Sequence, residues 1–165
     1  MCFELYIAAQ VPIPEIERGD GIFTTEFFDY QIHDIIDLPY VKSLGSDMGC
    51  GCGFRYAFWD EDKVIDRDKN SELYRVYSSW WEGEQGIFVE DMGGVYVGEE
   101  GNINQHQLVD FLHLLLRDSD FVQLYGCWEG ALGEPVTKRV RITAEQVRAY
   151  DFAFYPHTLY TVTER

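Results

Sequence analysis

Apolar and polar residues alternate from the start of the chain, with Phe3, Leu5 and Ile7 on one side and Cys2, Glu4 and Tyr6 on the other. Period two predicts a strand over residues 2–9 in a half-buried sheet. Pro12 and Pro14 end it, since proline has no N–H to give a ladder. The aromatic and isoleucine positions between Thr24 and Asp37 fit either period, and a strand followed by a short turn is the reading adopted. Pro39 to Leu44, Phe54 to Trp59, Phe121 to Trp128 and Val136 to Ile142 read as further strands. Leu159 to Thr163 is expected to close the sheet as an edge strand. Ile87–Val89 and Val95–Val97 flank a five-residue loop with two glycines, the signature of a hairpin.

The clearest helical pattern is that of Leu108, Phe111, Leu112 and Leu115, spaced i, i+3, i+4, i+7. It predicts a principal amphipathic helix at about 105–117. Asn104 with Gln107, and Thr143 with Gln146, have the spacing of capping boxes. The second pair opens a short helix at about 144–150. The expected fold is α+β, a mainly antiparallel sheet with the principal helix on one face. The length of 165 residues suits a single domain. A run of charge near 60–71 cannot bury itself and is expected to form an exposed excursion.

Charge narrows the set of partners. Twenty-nine acidic against 13 basic side chains leave a net charge of −16. Nucleic-acid binding relies on lysine and arginine displacing counterions, so neither nucleic acid nor anionic membrane suits this surface. A basic protein partner or a bound cation does. Lys138, Arg139 and Arg141 are the local exception and read as a solvated strand face. The first residues lack the basic and apolar regions of a signal peptide, and no apolar run reaches the length of a membrane span. A cytoplasmic location with reduced thiols is the expectation.

Candidate chemistry centres on Gly49-Cys50-Gly51-Cys52-Gly53. Residues two apart in extended chain point to the same side, so Cys50 and Cys52 could present both sulfurs to one ion. A tetrahedral zinc site needs about four ligands. Cys2 and Cys127, or one of His33, His106, His113 and His157, are candidates to complete it. Redox chemistry would need positive charge beside the thiols, and Arg55 is the basic residue nearest in sequence. The reading placed ahead of both is structural, with the cysteines as small hydrophobes and the glycines serving a tight turn. His106, Asp110, His113 and Arg117 share the other helical face and read as solvated polar residues. Trp80 and Trp81 are adjacent and cannot both face one core from a strand; core or subunit packing is the first reading, and one of them at a surface as an interaction anchor is the second.

Three stretches together resemble a family of small bacterial proteins with a Gly-Cys-Gly-Cys-Gly-Phe motif and no assigned activity. They are Met1-Cys2 leading into Leu5-Tyr6-Ile7-Ala8, Leu44-Gly45-Ser46 followed by 49–54, and Leu124-Tyr125 followed by Cys127-Trp128. The resemblance implies a bacterial, soluble, single-domain protein and supplies no catalytic residue. Three functions are expected in order: a non-catalytic protein-binding, regulatory or immunity-type module; a thiol-ligated zinc protein; and a small-molecule enzyme with its site beside 49–53. Self-association is compatible with each.

Overall fold

The computed structural model describes residues 2–27, 29–56, 99–149 and 152–165, with helix side chains from residue 103 onwards. The charged excursion near 60–71, Trp80, Trp81 and the hairpin over 87–97 lie outside the described residues.

Among the described residues six strands form one sheet: β1 (Phe3–Ala9), β2 (Phe23–Glu26), β3 (Tyr40–Gly45), β4 (Val122–Trp128), β5 (Lys138–Thr143) and β6 (Thr158–Thr163). Their order is β2-β3-β1-β4-β6-β5. Every pairing is antiparallel except β5 with β6. The helices are α1 (Ile32–Ile35), α2 (Glu99–Leu116) and α3 (Ala144–Arg148), with a 3-10 turn at Gly51–Gly53. The α+β expectation with a mainly antiparallel sheet is met.

Strand β1 lies between β3 and β4, with Phe3 opposite Trp128 and Leu5 opposite both Leu44 and Gly126. Alternation along it does not separate core from solvent, as the half-buried expectation had it. It separates two cores. Phe3, Leu5, Ile7 and Ala9 join Leu108, Leu112 and Leu115 of α2 and Val147 of α3 on one face. Tyr6 and Ala8 join Ile32 and Ile35 of α1, Tyr125, Cys127 and Leu132 on the other. Tyr6 is polar at one end but only 2% exposed, its hydroxyl donating to Glu4 at 2.8 Å. A buried phenol usually finds such a partner.

Three local expectations change. The segment after β2 forms the helical turn α1, with Ile32 and Ile35 buried, where only a turn was expected. Helix α2 begins at Glu99, so Asn104 is internal to it and is not the cap its spacing suggested. Strand β6 is interior, since β5 lies outside it in parallel. Leu159 and Tyr160 are neighbours of opposite parity, and both are buried, which an edge strand with one wet face does not require. Parallel neighbours need a crossover, and α3 lies in the connection from β5 to β6. Thr143 closes the capping box of α3 as its sequence predicts, accepting from Gln146 N–H while Thr143 N–H donates to the Gln146 side chain. Lys138, Arg139 and Arg141 lie exposed along the β5 edge, while Val140 and Ile142 are packed against the α2 side. No helix among the described residues is long and apolar enough to cross a membrane.

Candidate metal centre

The glycine–cysteine run folds onto the start of β1 because the loop leaving β3 is closed by its own backbone. Ser46 N–H donates to the Cys50 carbonyl at 2.9 Å, and Gly49 N–H to the Ser46 carbonyl at 2.8 Å. Gly49 sits at φ 87°, a left-handed conformation that glycine adopts without strain. The Ser46 hydroxyl donates to the Cys50 carbonyl at 2.6 Å and accepts from Gly53 N–H at 3.0 Å, joining the two ends of the run.

Two further contacts set the position of the turn. A side chain at Gly51 would lie 2.8 Å from the Phe3 carbonyl and 3.2 Å from the Leu5 amide, so the turn rests directly on the β1 backbone. Asn104 of α2 donates to the Gly53 carbonyl at 3.1 Å and to Asp47 at 2.6 Å. Asn104 therefore couples the principal helix to the loop. Neither role has a periodic signature; glycine on both sides of each cysteine was the available signal for close approach.

This arrangement gathers Cys2, Cys50 and Cys52, whose sulfurs all lie within 4.8 Å of one another. All three side chains are of intermediate burial and all are free thiols. Phe3 N–H donates to Cys52 Sγ at 3.1 Å, and Cys52 N–H to Cys50 Sγ at 3.4 Å. Two amides thus point at sulfur and favour negative charge there. The Cys50 thiol and the Phe3 amide, both donating to Cys52, hold its pKa below the ordinary thiol value of 9.0 against the opposing effect of burial. Cys50 is raised by that same hydrogen bond to Cys52 and by burial. Cys2 is raised, first by the charge of Cys50 and further by Glu129. These hydrogen bonds favour the thiolate at Cys52 over Cys2 and Cys50.

Zinc–sulfur bonds of about 2.3 Å in a tetrahedron put sulfurs about 3.8 Å apart. The triad has to close by about an ångström or less to meet that spacing. Thiolate sets of this kind select copper(I), zinc or iron–sulfur centres over oxygen-seeking ions.

Of the four cysteines expected as ligands, the fold brings three together and keeps Cys127 apart. Cys127 lies on the opposite face of the sheet, in the cluster with Tyr6 and Leu159, and is 0% exposed. Its register partner on β1 is Glu4. Burial pushes its thiol up to about 12, which leaves it protonated and inert. Cys127 is set within β4, its side chain among Tyr6, Tyr125 and Leu159, while Cys2 stands just before β1, beside the turn that rests on the Phe3 and Leu5 backbone.

None of the four histidines joins the thiols. His33 is exposed on α1. His106 Nδ1 lies 2.7 Å from the Arg148 guanidinium. His113 is held between Glu145 and Glu164, at 2.9 and 3.0 Å. His157 is buried on the Cys127 face at φ 56°, 3.3 Å from both the Tyr125 hydroxyl and Glu134. Arg55, near the motif in sequence, is 2% exposed and donates to the carbonyls of Ala149 and Arg148, so its charge is directed to the end of α3. Asp110 takes an ion pair from Arg148 at 3.0 Å on the exposed face of α2, as a solvated face should. Set against family models, curated proteins and solved structures, the chain matches none of them.

Proposed function

We propose that the protein binds a borderline or soft metal ion through Cys2, Cys50 and Cys52. The observation that carries this reading is the convergence of three half-buried sulfurs from two distant chain segments. Buried structural cysteines need no such meeting, and amides aimed at sulfur favour the thiolate form that metals require. The acidic chain, at −16, attracts cations to the site. Binding displaces thiol protons, so apparent affinity rises with pH.

The test is titration of metal-free, reduced protein with zinc, read by thiol protection and elemental analysis. One equivalent is expected, with release of protons. Cys2→Ser, Cys50→Ser and Cys52→Ser each lose stoichiometric binding, while Cys127→Ala keeps it. Absence of stoichiometric uptake by the unaltered protein overturns the reading. The net charge supports a second reading, capture of a basic protein partner, because opposite charge speeds encounter. That reading predicts a complex whose association slows as salt rises; a salt-independent rate counts against it.

A further inference from the structure

Three sulfurs are a complete set for a trigonal monovalent ion but one donor short for tetrahedral zinc. The identity of the ion therefore depends on whether a fourth group can reach it. The aspartate nearest in the loop, Asp47, is tied to Asn104 at 2.6 Å and to the Met48 amide at 2.9 Å. Cys127 is on the other side of the sheet, and the histidines are held elsewhere.

Glu129 is placed differently. The β1–β4 register pairs Phe3 with Trp128, so one step further Glu129 stands opposite Cys2. Its N–H donates to the Cys2 carbonyl at 2.9 Å, which fixes the backbone beside the triad. Its carboxylate is exposed and accepts from the Cys2 amide at a long 3.4 Å. Side chains directly opposite on antiparallel strands have Cβ atoms about 4.5–5.5 Å apart, within reach of a shared ion.

Resting on the metal-binding reading, we propose that Glu129 supplies a fourth, replaceable oxygen donor, so that the site takes a tetrahedral divalent ion of the zinc class. The carboxylate swings from the Cys2 amide to the ion. An oxygen ligand on an exposed side chain gives way readily to water or to an incoming ligand. The centre then exchanges its ion or accepts a fourth ligand, unlike a closed four-thiolate structural site.

Cobalt(II), a spectroscopic substitute for zinc, tests this. Metal-free, reduced protein titrated with cobalt should give intense visible bands of a tetrahedral ion and a near-ultraviolet charge-transfer band from three thiolates. Glu129→Gln keeps the charge-transfer band but weakens cobalt and zinc binding by at least about tenfold, given that partners one shell further out are worth 10–100-fold. Asp118→Asn, which removes an exposed carboxylate elsewhere, leaves both affinities unchanged. Equal affinity in Glu129→Gln and the unaltered protein overturns the role of Glu129. So does an equal loss in Asp118→Asn, which would make the effect one of net charge. A protein that binds copper(I) stoichiometrically but not cobalt also overturns it, while leaving the thiol site standing. No thiolate-to-metal band with any of these ions removes the metal-binding reading itself.

Discussion

At the scale of single residues, the triad depends on atoms that carry no chemistry themselves. Gly51 has the β1 backbone 2.8 Å from where its Cβ would stand, and backbone cannot move aside as a flexible side chain can. Gly51→Ala should therefore lift the 3-10 turn from β1, costing about 1–3 kcal/mol in overpacking. Denaturant midpoints measure that loss, and zinc titration should show a weaker site in the same variant. Ser46 has a comparable part, because its hydroxyl both donates to Cys50 and accepts from Gly53. The cysteine pair was legible as chemistry from the first, because two thiols flanked by glycines are uncommon. Which other thiol joins them was not. That choice is made by where β1 begins and by which backbone the 3-10 turn rests on, and both follow from pairing between distant segments, such as Glu4 with Cys127 more than 100 residues apart.

At the scale of elements, periodicity located β1, β3, β4 and β5 within a residue or two. Alternation and capping are local, so they survive in the sequence. Strand order is not local, and the adjacent buried residues Leu159 and Tyr160 mark β6 as covered on both faces only once the second core is known. Asn104 illustrates the same limit: its spacing to Gln107 imitates a cap, while its amide serves the glycine loop. The leucine stripe of α2 is firmer. Leu112 is fully buried against the sheet, and Leu112→Ala is expected to cost about 2–5 kcal/mol in thermal or chemical unfolding. Thr143→Ala removes the side-chain cap of α3 and should cost about 1 kcal/mol. A loss near zero would mean that the contacts at its other end, Arg55 on the carbonyls of Arg148 and Ala149 and Gln105 on that of Val147, hold α3 without the cap.

At the scale of the whole molecule, pH acts through His113, which ties α2 to Glu145 of α3 and to Glu164 beyond β6. Hydrogen bonds to Glu145 and then Glu164 raise its pKa above the ordinary 6.5. A raised folded pKa contributes stability in full below the unfolded value, and that contribution is lost as pH rises through the folded value. Glu145 has the opposite sign: His113 lowers its pKa below 4.5, so its contribution holds above that value and disappears as pH falls through the lowered one. Both contributions are whole between pH 4.5 and 6.5. Unfolding of His113→Gln, followed across pH, should show its largest deficit in that window and a smaller one on the alkaline side. A deficit independent of pH would rule out this ion-pair account.

The β1 strand begins one residue after Cys2, while the other two thiols lie in the turn after β3. An occupied site would consequently close the chain into a ring of about fifty residues whose seam lies against the middle of the sheet, a constraint that mainly robs the unfolded chain of freedom. Ligand held at one hundred times its dissociation constant adds about 2.7 kcal/mol to such a fold. Melting temperature would then track free zinc, and the molecule would record the supply of its ion as resistance to heat and to proteases.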